Sequence, residues 1–136
     1  MTGGVISNNI ASSEGGGVYI SPSGLFFMSG GEITGNRFVS QGKGGGIYQG
    51  GMMYVNGLVK ICNNRYGISD SSALNNVYLP SGKTINVTGS LSKGSDYSEI
   101  WFTTEDLPAH PGEAGKITIT EGYDYKEEWK IGRAHV

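Results

Sequence analysis

Gly82-Lys83-Thr84, within "LPSGKT", has the ending of a phosphate-binding loop. Such a loop offers backbone N–H groups to phosphate oxygens, reaches the outer phosphates with its lysine, and runs into a helix. The pattern requires glycine five positions before Gly82, where Val77 stands, and the following "INVTGSL" alternates like a strand. The stretch therefore reads as a turn between strands. Polysaccharide cleavage would need a carboxylate pair at a fixed gap, or clustered acidic calcium ligands with a base. Asp70, Asp96, Glu99, Glu105 and Asp106 fall in turns or in the C-terminal stretch, while Glu14 and Glu32 stand isolated. No catalytic set is expected. A calcium-binding nonapeptide would place aspartate after the glycines, but Val18 and Tyr19 are there, so neither a metal nor a cofactor is expected. Cys62 has no base near it in sequence, and His110 lies far away, so the thiol reads as a small residue at a strand end. The sequon Asn86-Val87-Thr88 is read as incidental.

What must position any site is a chain of 136 residues, enough for one domain with a modest core. Its 24 glycines are more than twice the usual share and lack the Gly-X-Y period of collagen. A net charge of −2 offers no basic face to a phosphate backbone, so nucleic acid is not an expected partner. No apolar run reaches the roughly 20 residues of a membrane helix, and no membrane insertion is expected. The first residues lack the basic-then-apolar order of a signal peptide. A single cysteine rules out an internal disulfide and a cysteine metal cluster.

Self-similarity is the strongest signal. "MTGGVISNN" (Met1–Asn9) aligns with "MSGGEITGN" (Met28–Asn36), and "VNGLVKICNN" (Val55–Asn64) follows with one inserted residue. "GGGVYI" at Gly15–Ile20 returns as "GGGIYQ" at Gly44–Gln49 and as "NNVYLP" at Asn75–Pro80. "LFFMSG", "MMYVNG" and "TINVTG" form a third set. Three strand patterns in a period of about 27–30 residues suit one coil of a parallel β-helix, and the leucine framework of leucine-rich repeats is missing. Coils stack like on like, about 4.8 Å apart.

Alternation then assigns sides. Val18, Ile20, Ile47, Val77 and Leu79 are expected inward, with Phe26, Met28, Met53, Val55, Ile85 and Val87 on the second strand. Ile6, Ile33 and Ile61 line the third, with Leu91 expected to continue their column. Tyr19, Tyr48 and Tyr78 are expected to stack on one outer face, and Phe27 with Tyr54 on another. Such a strip supports neighbouring rungs and offers aromatic surface to sugars or a partner chain. Asn9, Asn36 and Asn64 share one repeat position and are expected to form a structural ladder, since asparagine tolerates the left-handed conformation and its amides bond along a column. The glycine triplets are expected to bend the coil through positive φ.

"GGGVYI", "GGGIYQ" and the "ITGN" strand end resemble right-handed parallel β-helix repeats, of the pectate-lyase-like type, in bacterial adhesin-like surface proteins such as those of gut bacteria. They are more loosely similar to the GGA[ILV] and FxxN repeats of chlamydial polymorphic outer-membrane proteins. The resemblance covers about Met1–Phe102, lacks an FxxN with phenylalanine, and includes no autotransporter barrel or anchor. It implies an all-β, right-handed parallel β-helix of about three to four coils, at the cell surface or outside the cell. The implied role is adhesive or scaffolding and non-enzymatic, with a glycan or a host or partner protein as ligand. The alternative is a non-catalytic part of a polysaccharide lyase or glycoside hydrolase β-helix.

Residues 1–102 are thus expected as coils and 103–130 as a loop plus the strand "KITIT", with "YDYKEEWK" unassigned and a further coil starting there. Because Met1 aligns with a position inside a repeat, the sequence is expected to be a fragment. Residues 131–136, "IGRAHV", resemble the translation of a sequencing adapter, and no functional weight is expected on Arg133 or His135.

Overall fold

Short β-branched and aromatic runs, cut by glycine and asparagine, leave this chain little to form except brief strands that pair with their own repeats. The computed structural model describes residues 1–40, 42–69, 73–93, 96–105 and 120–121. Its strands are β1 (Val5–Ser7), β2 (Ile10–Ala11), β3 (Val18–Ile20), β4 (Leu25–Thr34), β5 (Arg37–Phe38), β6 (Ile47–Gln49), β7 (Met52–Cys62) and β8 (Arg65–Tyr66). They continue as β9 (Val77–Leu79), β10 (Ile85–Val87), β11 (Ser92–Lys93), β12 (Asp96–Tyr97), β13 (Glu99–Ile100), β14 (Phe102–Thr104) and β15 (Thr120–Glu121). Parallel sheets stack as a β-solenoid of about three turns, with no helix among the described residues.

One sheet runs β1-β4-β7-β10-β15, with β13 also on β7; a second runs β3-β6-β9-β14; a third, of two-residue strands, runs β2-β5-β8. The antiparallel pair β11-β12 lies outside the coils' parallel pattern. The register reproduces the repeat. Val18 lies beside Ile47 and Ile47 beside Val77. Phe26 lies beside Met53 and Met53 beside Ile85. The inserted residue is absorbed where the register shifts between Met28 and Gly30, a bulge in the long β4-β7 pair.

Every coil sends its apolar alternates inward. Ile47, Met53, Val55, Val59, Ile61, Val77 and Leu79 are fully buried, and Val18, Phe26 and Ile6 pack against this core from partly buried positions. No coil could bury that face alone.

Six features differ from the expected layout. The second and third strand patterns join into the continuous β4 and β7, because the bulge keeps both halves in one ladder. The short third sheet was not anticipated: its strands are too brief to show alternation. Leu91 is buried, but Ile100 continues the Ile6–Ile33–Ile61 column, paired in register with Ile61. At the ladder corner the left-handed residues are Asn8, Gly35 and Asn63, each one position before a ladder asparagine, rather than the ladder asparagines themselves. In the triplet Gly44–Gly46 only Gly44 has positive φ, at 74°. Gly45 is needed for space, since a Cβ there would lie 2.4 Å from the Arg65 carbonyl oxygen. The strand Phe102–Thr104 also crosses the boundary expected at residue 102, as a further rung beside Val77–Leu79. Of "KITIT" only Thr120 is described, paired with Ile85. Lys116–Ile119 precede it, and "YDYKEEWK" and residues 131–136 follow, all outside the described residues.

Candidate functional site

Asn9, Asn36 and Asn64 are brought into one ladder. The Nδ2 of Asn9 donates to Asn36 Oδ1 at 2.9 Å, and Asn36 Nδ2 donates to Asn64 Oδ1 at 3.0 Å. Each acceptor oxygen also takes the backbone N–H of the asparagine above, at 3.1 and 3.0 Å. Asn76 ends the series, accepting both donors of Asn64 at 2.8 and 3.0 Å. Asn36 Nδ2 further serves the Ile6 and Thr34 carbonyls, and Asn64 Nδ2 those of Ile33 and Cys62. Asn36 and Asn64 are fully buried, so this shared bonding meets the cost of hiding their amides. The preceding left-handed residue turns each amide into the stack. Asn76 was invisible to the repeat because it sits only 12 residues after Asn64, not a period later.

On the outer face of β3, β6 and β9 the tyrosines stack. The ring centroids of Tyr19 and Tyr48 are 5.3 Å apart and those of Tyr48 and Tyr78 6.1 Å, each pair inclined by 7°. Exposure is uneven, however: Tyr19 is 51% exposed and Tyr78 only 8%. Tyr78 therefore departs from the expected open strip. The Lys43 ammonium lies 4.8 Å from its ring centroid, and its hydroxyl donates to Glu105 Oε1 at 2.5 Å. Lys43 Nζ donates to the same oxygen at 2.6 Å, and the Ser81 N–H to Glu105 Oε2 at 3.2 Å. The Lys43 ammonium, then the Tyr78 hydroxyl and Ser81 N–H, hold the Glu105 carboxyl down to about 2. The Glu105 bond in turn raises Lys43. Burial pushes the Tyr48 and Tyr78 phenols up.

A second outer pair, Phe27 and Tyr54, stacks at 4.8 Å beside exposed Leu25 and Met52. On the short third sheet buried Phe38 meets exposed Tyr66 at 5.0 Å, the rings tilted by 31°. A groove of about 250 Å³ runs past the left-handed corner, lined by Asn8, Gly35, Asn36, Arg37, Asn63 and Arg65.

The remaining chemistry-bearing residues are scattered. Glu99 accepts the Trp101 indole N–H at 2.6 Å, Asp96 is exposed, and Cys62 is buried in register with Thr34, its thiol pushed up chiefly by burial. Asp70, Asp106 and His110 lie outside the described residues. Among the described residues no three His, Cys, Asp or Glu side chains cluster as a metal would require, and no helix is long and apolar enough to cross a membrane. Lys83 follows a turn closed by its N–H on the Pro80 carbonyl at 3.0 Å, with strand β10 after it.

No family model, curated protein or solved structure matches this chain.

Proposed function

We propose that this chain is a non-enzymatic, adhesin-like or stalk segment of a bacterial cell-surface or secreted protein. Its tyrosine strip, led by Tyr19 and Tyr48, takes a glycan or a partner protein. The observation that supports this reading is the parallel stack of three tyrosines on one outer face, open at Tyr19 and closed over Tyr78. Tyrosine offers a large rigid surface at low entropic cost, and aromatic side chains are enriched at binding hot spots. The outward central positions of β3, β6 and β9 carry tyrosine rings and no carboxylate. A glycan panel probed with the intact chain and with a Tyr19→Ser/Tyr48→Ser variant tests the proposal. Binding by the first and loss in the folded second is expected; equal binding by both contradicts it.

A further inference from the structure

Lys43, Tyr78 and the backbone of Ser81 together make a receptor for a carboxylate, and Glu105 of the same chain fills it. The three donors come from different segments: the turn before β6, strand β9, and the turn after β9. They converge on the two oxygens of one carboxyl group, at 2.6, 2.5 and 3.2 Å. Charge-assisted bonds of this kind discriminate strongly for an anion. The Lys43 and Glu105 side chains are 46% and 37% exposed, so a carboxylate from solution can reach the ammonium directly and the Tyr78 hydroxyl when Glu105 moves aside.

We propose that this cradle is the end subsite of the tyrosine strip, and that it takes the carboxylate of an acidic sugar terminating an otherwise neutral oligosaccharide, in place of Glu105. The proposal rests on the reading of the strip as a glycan-binding face. Tyr78 belongs to both features, as a cradle donor and as the ring that stacks on Tyr48. A ligand lying along the solenoid therefore meets the open ring of Tyr19, then Tyr48, and, once Glu105 is displaced, the Tyr78 hydroxyl with the Lys43 ammonium beside it at the end of the strip. That arrangement matches a neutral sugar chain with one terminal charge better than an acidic peptide, whose carboxylates recur along its length. Glu105 is tethered, so it competes at high effective concentration and keeps the intact chain weak.

Sialyllactose and lactose differ by one terminal carboxylated sugar and serve as probes, with a tetraglutamate peptide as the third. Glu105→Ala should tighten sialyllactose binding about tenfold or more, the size expected for freeing a charge-assisted contact. Lactose binding should stay unchanged, and adding Lys43→Ala should remove the gain. Glu105→Gln, which keeps most of the packing, should fall between and guards against a folding defect in the alanine variant. Folded Glu105→Ala and Glu105→Gln chains that bind sialyllactose no better than the parent would overturn the cradle. Tetraglutamate bound more tightly than sialyllactose would overturn the sugar assignment. If Tyr19→Ser/Tyr48→Ser leaves lactose binding intact while the preference for sialyllactose persists, the strip reading fails and the cradle stands.

Discussion

Asn36 and Asn64 lie in consecutive coils, and the Asn64 Oδ1 receives both the side-chain amide and the backbone N–H of Asn36, each at 3.0 Å. One oxygen thus fixes the side chain and the backbone of the coil above. The apolar columns beside it already oppose a one-residue slip, which would turn them to solvent, and this bond pair adds a polar lock on the same register.

Asn36→Ala should therefore be costly. It takes the side-chain donor from the buried Asn64 Oδ1, which keeps only the backbone N–H of residue 36, and it removes the oxygen shared by the two Asn9 donors; losing such bonds at a buried position costs about 1–3 kcal/mol. Asn36→Asp should be worse at neutral pH, because its carboxylate would face the Ile6 and Thr34 carbonyls and Asn64 Oδ1. That environment raises the folded-state pKa above the unfolded value, so the aspartate variant should regain stability as the pH falls from neutral. Thermal melts of both variants across pH check this; an aspartate variant as stable as the parent at neutral pH contradicts the ladder's role.

Gly44 and Gly82 have almost the same φ, 74° and 72°, but different surroundings. A Cβ on Gly44 would lie 2.2 Å from the Ile47 carbonyl oxygen, while nothing stands within 4 Å of one on Gly82. Gly82→Ala should cost only the left-handed penalty, about 1–2 kcal/mol. Gly44→Ala should add a backbone displacement and cost clearly more. Chemical denaturation of the two variants measures the difference, and equal losses would show that φ alone matters.

This contrast also shows what was legible in the sequence. Tyr19, Tyr48 and Tyr78, and the apolar residues beside them, could be placed because like stacks on like at a nearly constant period. Phe102 could not: its rung follows Val77 after 25 residues and has no glycine triplet before it. Ile100 lost its place to Leu91 because the chain between β10 and β13 detours through the β11-β12 pair. Nothing local joins Lys43 to Glu105, which meet across 62 residues only once three coils are stacked. The covering of Tyr78 was hidden for the same reason.

Glu105 should leave a signature in acid. Its folded-state carboxyl is held at about 2, below the usual value of 4.5, chiefly by Lys43. A depressed acid contributes stability that is complete above the unfolded pKa and is lost as the pH falls through the folded one. The window therefore runs from about 4.5 down to about 2. The difference in melting temperature between the parent and Glu105→Gln should shrink across that window. A constant difference would mean that the Lys43–Glu105 contact adds nothing to folding.

Gln49 carries the polar atom least suited to its place. Its Nε2 donates to the Thr84 carbonyl at 2.6 Å, but the buried Oε1 has no partner. Ile20, its neighbour in register, is apolar. Gln49→Leu should stabilise the chain by about 1 kcal/mol, since an unmet buried acceptor costs more than a typical hydrogen bond returns. A melt showing a loss of that size instead would mean that the Thr84 bond is worth more than the unmet oxygen costs.

The most direct test of the functional account measures melting and ligand binding on the same sample of the Tyr19→Ser/Tyr48→Ser variant. Removing two rings deletes the stacked contacts of the strip, worth roughly 0.2–1 kcal/mol per pair, so a modest fall in melting temperature is expected. The account predicts that any glycan or partner bound by the parent is lost well below the variant's new melting point. Binding that persists in the folded variant would contradict it and leave the tyrosines as architecture alone.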